Sequence, residues 1–207
     1  MNKGKERTIY DKHIKRLMDI VFCVVAMLLL IPIFIICALL IYAEDGGSVI
    51  FKQKRVGINK SYFTAHKFRS MKKDTPDDIP THLMKDNLKE RLTGVGRFLR
   101  KYSLDELPQL YDILIGNMSL VGPRCALWNQ EDLIAERDKY GANDIRPGLT
   151  GWAQINGRDD IDICEKAELD GYYAEQLRKS SISGLLMDTR CFLGTIVAVI
   201  RADGVAE

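Results

Sequence analysis

The feature that most constrains this chain is an uncharged apolar segment, residues 20–42, with the sequence IVFCVVAMLLLIPIFIICALLIY. A helix of about 20 apolar residues is long enough to cross the hydrocarbon core of a bilayer. A secretory signal peptide has a shorter apolar region, which a small-residue cleavage site follows. Here the chain continues instead through the acidic turn Glu44-Asp45-Gly46-Gly47. We therefore predict a membrane helix and keep a buried core helix as the less favoured alternative.

Basic residues flank the apolar segment on both sides. Those before it are Lys3, Lys5, Arg7, Lys12, Lys15 and Arg16, and those after it are Lys52, Lys54, Arg55, Lys60, Lys67, Arg69, Lys72 and Lys73. Because positive charge marks the cytoplasmic side of a membrane helix, both flanks are expected on that side. Pro32 removes a helical hydrogen bond near the midpoint and favours a kink. The residues alone leave two alternatives open: a re-entrant helix that bends at Pro32, and a kinked helix that spans the membrane.

Composition narrows the class of protein. The 207 residues include 30 Lys and Arg against 28 Asp and Glu, so bulk charge does not indicate a nucleic-acid binder. Five cysteines without a CxxC pair argue against a disulfide framework or a cysteine zinc site and fit a reducing compartment. The three histidines lack metal-ligand spacing. We divide the chain into a basic segment with a membrane helix, residues 1–46, and a cytoplasmic domain, residues 47–207.

The domain is predicted to be mainly α with a small β element, an α+β fold. Strands are predicted over residues 49–51 and 62–68 around a turn at Gly57, and an exposed loop over residues 71–89. Helices are predicted within residues 93–101 and over residues 108–115, 127–140, 165–177 and 185–200. The Gly-rich residues 148–158 are predicted as a loop. Several of these helices have the amphipathic pattern of helices that lie flat on a membrane.

Two adjacent carboxylates lie in the segment Ser103-Leu104-Asp105-Glu106-Leu107-Pro108. Ser103 and Glu106 match an S-x-x-E capping box, which is a common structural motif. The same position also suits chemistry, because the N-terminus of a helix favours ionised carboxylates. Such a carboxylate binds Mg²⁺ or acts as a nucleophile in covalent catalysis. Pro108 is favourable as the first helical residue.

Basic and amide side chains supply candidate ligands for an anionic substrate. They are Lys67, Arg69, Arg97, Arg100, Lys101, Arg124, Arg146, Gln154, Asn156 and Arg158. Arginine pairs with phosphate through two hydrogen bonds, and phosphoryl-transfer sites need such cations together with a metal. For any single arginine, a solvated face or attraction to anionic lipid is the simpler explanation. No Rossmann or P-loop pattern is present in the sequence.

Several motifs of this chain resemble those of the monotopic phosphoglycosyl transferases, also called the bacterial sugar transferase family. They are Lys15-Arg16-x-x-Asp19, FKQKRVG (51–57), KFRSM (67–71), GRFLRK (96–101), SLDELPQL (103–110), MSLVGPR (118–124) and PGLTGWAQxNGR (147–158). The resemblance covers nearly the whole chain. It implies a re-entrant anchor at the bacterial inner membrane, with the catalytic domain on the cytoplasmic face. It also implies a minimal form, without the further membrane helices and N-terminal domain of long members.

The resemblance also implies a reaction, the first membrane step of glycoconjugate assembly. Asp105 would attack the β-phosphate of a UDP-sugar, release UMP and hold the phosphosugar covalently until polyprenyl (undecaprenyl) phosphate removes it. Asp105 would also contact Mg²⁺, with Glu106 as its catalytic neighbour. The remaining candidate substrate-binding residues are Lys67, Arg69, Arg97, Arg100, Arg124, Gln154 and Arg158. Of these, Lys67, Arg100 and Arg158 are implied phosphate ligands, and Arg124 is implied to lie near the nucleotide.

The chain departs from the family at one position of this set. The family pattern Gly-Pro-Arg-Pro reads Gly-Pro-Arg-Cys here, with Cys125 in place of the second proline. Loss of the proline ring frees φ at this residue, so the geometry of this loop does not follow from the family pattern.

Two other classes of protein explain part of the pattern. A non-catalytic membrane adaptor that binds anionic lipid accounts for the anchor and the basic residues, but it does not need the Asp105–Glu106 pair. A hydrolase of diphosphate-linked substrates needs a positioned water in place of a lipid acceptor. Asp105→Asn would leave the adaptor functional, and free sugar phosphate as the product would identify the hydrolase.

Overall fold

The structure, a computed structural model, describes residues 7–75, 88–157 and 161–201. A short π-helix, Tyr10–Ile14, leads into the long helix α1, Lys15–Asp45, which continues through Pro32. Two helical stretches, Tyr10–Asp45 and Ser181–Val199, are long and apolar enough to cross a membrane by length and composition. The prediction of an N-terminal apolar helix is confirmed. Its re-entrant kink and the division of the chain after residue 46 stay predictions.

A β-hairpin follows the long helix. Strands β1, Ile50–Val56, and β2, Tyr62–Phe68, pair in antiparallel register, with Phe51 opposite Lys67 and Val56 opposite Tyr62. A 3₁₀ turn, Ile58–Lys60, joins them. The predicted strands are confirmed, but β1 is longer than its apolar start suggested, because pairing with β2 continues through its polar residues to the buried Val56.

The other helices are α2, Leu88–Arg91; α3, Gly94–Lys101; α4, Gln109–Ile115; α5, Glu131–Tyr140; α6, Trp152–Ile155; α7, Ile163–Lys179; and α8, Ser181–Arg201. The side chain of Thr93 caps α3 by accepting the Gly96 amide at 2.9 Å. Gly116, at φ 94°, ends α4 in the left-handed conformation that a glycine adopts without steric cost. The mainly α fold with a small β element is confirmed.

Two predictions of secondary structure were wrong. Residues 127–130 are not helical, since Leu127 forms a bridge with Arg55 on the hairpin. The Gly-rich segment is not a loop throughout: β4, Gly148–Thr150, pairs in parallel with β3, Ser119–Val121, and α6 follows. A Cβ on Gly148 would lie 2.1 Å from the Gly122 amide nitrogen. The glycines therefore permit a close approach of two backbones, which composition alone does not distinguish from a flexible loop.

Helix α1 is docked at both of its ends. Near its start, the Arg16 guanidinium donates to the carbonyls of Ile113 and Leu114 at 2.5 and 2.7 Å, at the C-terminus of α4. Near its end, the Glu44 carboxylate accepts the amides of Gly94 and Val95 at 2.6 and 2.9 Å, at the start of α3. The Arg16 cation thus lies at a helix C-terminus and the Glu44 anion at a helix N-terminus, and each helix end favours the charge it meets.

Apolar clusters fill the space between these two contacts. Cys23 of α1 shares one cluster with Leu110 and Ile113 of α4. Cys37 and Ile41 share another with Phe68 of β2 and Leu99 of α3. Together, α1, α4, α3 and the hairpin surround the segment that carries Asp105.

The outer face of α1 and one face of α8 expose apolar side chains. These are Leu17, Met18, Ile20, Val21, Phe22, Val24, Val25, Leu28, Leu29, Ile31, Ile33, Ile35, Ile36, Leu39, Leu40 and Tyr42 on α1, and Ile182, Leu185, Leu186, Leu193, Ile196 and Val197 on α8. Phe22 and Phe192 join the two helices, with ring centroids 5.3 Å apart. A continuous apolar surface of this size indicates contact with a membrane.

A buried polar cluster fixes the start of α1 to the domain. The Asp188 carboxylate of α8 accepts from the Tyr10 hydroxyl and the Lys15 ammonium, each at 2.6 Å, and from the Tyr173 hydroxyl at 2.7 Å. Each of these side chains is less than a tenth exposed. The base of the membrane helix is therefore fixed to α7 and α8 by charge-assisted hydrogen bonds.

Candidate active site

Asp105 and Glu106 lie on a 3₁₀ turn, Leu104–Glu106, between α3 and α4. Ser103 precedes the turn at φ 54°, an uncommon conformation for a residue with a Cβ, and its side chain makes no capping hydrogen bond. The capping-box interpretation was therefore wrong. Pro108 is the N-cap of α4 rather than its first helical residue.

The Glu106 carboxylate is neutralised by two cations. Its Oε1 accepts from the Lys67 ammonium at 2.6 Å and from Arg124 Nη2 at 2.5 Å, and its Oε2 lies 3.3 Å from Arg124 Nη1. Burial raises the pKa of Glu106, but the charges and hydrogen bonds of Arg124 and Lys67 outweigh burial and hold that pKa well below its usual range. Glu106 is therefore ionised and fixes both cations beside Asp105.

Asp105 has a different environment, although only 6% of it is exposed. Its carboxylate accepts no hydrogen bond from the part of the chain that the structure describes. Burial raises the pKa of Asp105, Lys67 opposes this rise, and the neighbouring charge of Glu106 adds to it. Two adjacent carboxylates with pKa values moved in opposite directions are typical of a division of catalytic roles.

A buried aspartate fixes the strand that carries Lys67. Asp112 of α4, which is fully buried, accepts the backbone amide of His66 and contacts its ring Nδ1, both at 2.8 Å. Burial raises the pKa of Asp112, and the hydrogen bonds from His66 oppose this rise. The residue next to Lys67 is thus held by its backbone and by its side chain.

Of the other predicted ligands, Arg100 lies closest to the acid pair. It is near enough to lower the pKa of Asp105 by its charge, and its Nε donates to the Ser70 hydroxyl at 2.9 Å. Gln154 Nε2 donates to the Leu149 carbonyl at 3.0 Å, while its buried Oε1 has no hydrogen-bond partner in the described residues.

Arg69 is not brought to the acid pair. Arg69 donates to the Gly46 carbonyl and lies 3.4 Å from Asp45, so it ties the hairpin to the end of α1. Arg97 is exposed on α3, and Arg158 lies outside the described residues. The binding roles of these three arginines stay predictions.

Asp105 offers one carboxylate to a magnesium ion whose remaining ligands would be substrate phosphates and water. The described residues contain no group of three or more His, Cys, Asp or Glu that could hold a metal ion. Mg²⁺ in phosphoryl-transfer sites usually takes one or two carboxylates together with substrate phosphates and water. Asp105, whose oxygens receive no hydrogen bond from the described chain, fits the role of that single carboxylate ligand.

Comparison with known proteins identifies the chain. The sequence profile described as "Bacterial sugar transferase" matches residues 10–202. The chain belongs to the bacterial sugar transferase family. This bacterial sugar transferase is 34% identical over 194 residues to the sugar transferase EpsL of Bacillus subtilis, covering 94% of this chain and 91% of the relative.

Two further relatives carry names that state a reaction. The UDP-glucose:undecaprenyl-phosphate glucose-1-phosphate transferase of Escherichia coli is 39% identical over 167 residues, covering 76% of this chain and 34% of the relative. The undecaprenyl-phosphate galactose phosphotransferase of Salmonella typhimurium is 32% identical over 207 residues, covering 94% and 42%. This bacterial sugar transferase therefore spans less than half the length of these two relatives and nearly all of the Bacillus one.

Sequence reasoning missed the buried polar residues that support the site. No role was predicted for Asp112 or for the ion pair between Arg137 and Asp170. One signal was available: in α7 the buried residues Ala167, Asp170, Ala174 and Leu177 follow helical spacing, so a carboxylate lies on the apolar stripe. A buried carboxylate at such a position needs a partner.

Proposed function

We propose that this chain transfers a sugar phosphate from a UDP-sugar to polyprenyl phosphate through a covalent phosphosugar on Asp105. The observation that carries the proposal is the acid pair, in which the buried Asp105 carboxylate lies beside Glu106 and the two cations that Glu106 binds. The names of the Escherichia coli and Salmonella relatives support the acceptor, since both include undecaprenyl phosphate.

In the first step, an Asp105 carboxylate oxygen attacks the β-phosphorus of the donor. The bond from that phosphorus to the bridging oxygen breaks, and the oxygen leaves with its electron pair as part of UMP. Lys67, Arg124 and Arg100 supply positive charge for the phosphate oxygens, which carry the charge of the transition state. Ionisation of Asp105 is required, because only the carboxylate form is nucleophilic.

In the second step, a phosphate oxygen of polyprenyl phosphate attacks the same phosphorus. The bond between phosphorus and Asp105 breaks, which restores the carboxylate and gives a polyprenyl diphosphate sugar. Glu106 keeps Lys67 and Arg124 in place through both steps, since it binds them without the substrate. Mg²⁺ held by Asp105 and the diphosphate would neutralise part of the charge on the donor.

The same proposal includes a re-entrant anchor with the domain on the cytoplasmic face. Arg16 and Glu44 lie at opposite ends of α1 and both dock onto the domain. About 28 residues of helix separate them, which corresponds to about 42 Å along a straight helix. A helix that crossed the bilayer would carry one of these contacts to the far side, away from the domain. Docking at both ends therefore supports an anchor that enters and leaves on one face.

Product analysis tests the reaction. We would incubate the purified chain in nanodiscs with Mg²⁺, a panel of UDP-sugars and undecaprenyl phosphate, and measure nucleotide and lipid products. The proposal predicts UMP and lipid-linked diphosphate sugar in equal amounts for one donor or a few related donors. Free sugar phosphate would identify a hydrolase instead. Absence of UMP with every donor, with lipid binding retained in Asp105→Asn, would identify a membrane adaptor.

A further inference from the structure

The loop that carries Arg124 is held through four successive backbone carbonyls. The Pro123 carbonyl accepts from the Gly148 amide at 2.9 Å, and the Ala126 carbonyl accepts from the Val56 amide at 3.0 Å. The two carbonyls between them accept from arginine side chains instead. Arg137 Nη1 donates to the Arg124 carbonyl at 2.9 Å, and Arg55 Nη1 donates to the Cys125 carbonyl at 3.1 Å. Side chains from elsewhere in the chain therefore hold the Arg124 and Cys125 carbonyls, between two carbonyls that backbone amides hold.

Arg137 joins this loop to helix α7. It is 4% exposed, and its Nε and Nη2 donate to Oδ2 of Asp170 at 2.8 and 2.6 Å. Asp170 is 1% exposed. Because the guanidinium is planar, fixing two of its nitrogens on Asp170 also fixes the direction of the third, Nη1, which contacts the Arg124 carbonyl. An aspartate on α7 thus determines where the loop is held.

This ion pair is not arranged for maximum stability. Both hydrogen bonds go to one oxygen of Asp170, and the other oxygen, Oδ1, is buried without a partner in the described part of the chain. Burial raises the pKa of Asp170, although Arg137 opposes this rise. A buried ion pair often stabilises a protein no better than apolar residues of the same volume. Its orientation toward the loop therefore points to a role in geometry.

The geometry of the loop bears directly on the acid pair. Arg124 binds Glu106 with both terminal nitrogens, one of them at 2.5 Å, so a shift of its backbone would move this cation relative to Asp105. Misplacement of a catalytic contact by about 1 Å can reduce a rate by about 100-fold. We propose that Arg137, oriented by Asp170, is a positioning residue that sets the place of Arg124 in the donor phosphate site. Only the kinetic effect that this inference predicts rests on the proposed function.

The test compares a paired replacement with a matched control. Arg137→Met with Asp170→Leu replaces the ion pair by apolar side chains and leaves no unpaired buried charge. Arg178→Met is the control: Arg178, on the same helix as Asp170, donates to the Gly141 carbonyl at 3.0 Å and lies 3.3 Å from Asp144, outside the loop. Arg178→Met removes a guanidinium that, like Arg137, contacts one backbone carbonyl and one aspartate. Each variant would be measured as the full chain in nanodiscs.

Hydrogen–deuterium exchange gives the first readout and does not depend on activity. The backbone amides of Gly122 and of residues 124–127 are expected to exchange at least about tenfold faster in the paired variant and at the unchanged rate in Arg178→Met. Unchanged exchange in both variants would overturn the inference, whatever the chain catalyses. An absence of UMP release from the unmodified chain would contradict the proposed function. The exchange comparison would then still decide whether Arg137 holds the loop.

Steady-state kinetics give the second readout. The paired variant is expected to raise KM for the UDP-sugar by about tenfold and to leave KM for polyprenyl phosphate unchanged. In an Arg124→Met background the same replacement is expected to have no further effect, because residues that act through one another are not additive. Equal effects on both KM values, or full additivity with Arg124→Met, would show a merely structural ion pair and overturn the inference.

Discussion

The Lys67 ammonium lies 2.6 Å from a carboxylate oxygen of Glu106. Lys67 thus neutralises the residue next to the proposed nucleophile and lies near enough to Asp105 to oppose the effect of burial on its pKa. The two adjacent acids have different environments. Glu106 binds two cations, and Asp105, which receives no hydrogen bond from the described residues, is the acid that we propose as the nucleophile.

Removal of Lys67 is expected to move the acid limb of the pH–rate profile upward. Burial raises the pKa of Asp105 and the Lys67 charge lowers it, so Lys67→Met should raise that pKa further. Because the protonated acid is not a nucleophile, UMP release should then fail at a higher pH, with a loss in rate of at least about tenfold. Lys52→Met, an exposed lysine on β1, is the control and should leave the profile unchanged. An acid limb that stays in place would contradict the assignment of Asp105.

Neutralisation of Glu106 is expected to have the opposite effect on pH dependence. The Glu106 charge contributes to the raised pKa of Asp105, although burial is the larger cause. Glu106→Gln removes that charge and frees Lys67 and Arg124, so the pKa of Asp105 should fall and the acid limb should move to lower pH. The rate itself should fall about 100-fold, because the cations lose their anchor. The pH profile of adduct formation measures this, and an upward shift would exclude the proposed electrostatics.

Single and paired replacements of the buried ion pair are expected to differ in stability. Arg137→Met alone leaves the Asp170 carboxylate buried without its partner, which typically costs about 3–5 kcal/mol of unfolding free energy. The pair Arg137→Met with Asp170→Leu should recover most of that loss, because no buried charge is left. Denaturant unfolding of the three proteins measures the difference. Equal destabilisation by the single and the paired change would show that volume, not charge, decides stability here.

Both ends of α1 are expected on the cytoplasmic side. A Cys164→Ser background removes the exposed cysteine, and the other four cysteines are buried. Single cysteines at exposed positions Lys12 and Lys52 would then flank the helix. In spheroplasts a membrane-impermeant maleimide should label neither cysteine until the cells are permeabilised. Labelling of one position in intact spheroplasts would show a spanning helix.

The elements that sequence predicted well are those whose signal is local. The membrane-length helix follows from its apolar composition, and α4 follows from its apolar spacing and the glycine that ends it. The hairpin was recognised from two short β-like runs around a turn at Gly57, and the second run, residues 62–68, matches β2. The acid pair was also recognised, because two adjacent carboxylates beside a helix start are visible in the sequence itself.

The features that sequence could not supply depend on contacts between distant segments. Arg69 belongs to a basic motif, yet it contacts the end of α1 rather than the acid pair. Glu106 matches a capping box, yet Lys67 and Arg124 compete successfully for its carboxylate. The glycines of residues 148–151 read as a loop because their purpose, close backbone packing against Gly122, involves a segment more than 20 residues earlier.

A mass adduct on Asp105 tests the central claim most directly. The chain would be incubated with Mg²⁺ and its UDP-sugar without lipid acceptor, and the intact and digested protein would be analysed by mass spectrometry. We expect one phosphosugar on the peptide that contains Asp105, released when polyprenyl phosphate is added and absent in Asp105→Asn. Two results would contradict the covalent mechanism. One is steady formation of lipid-linked product by a chain that never carries the adduct, and the other is product formation by Asp105→Asn at the unmodified rate.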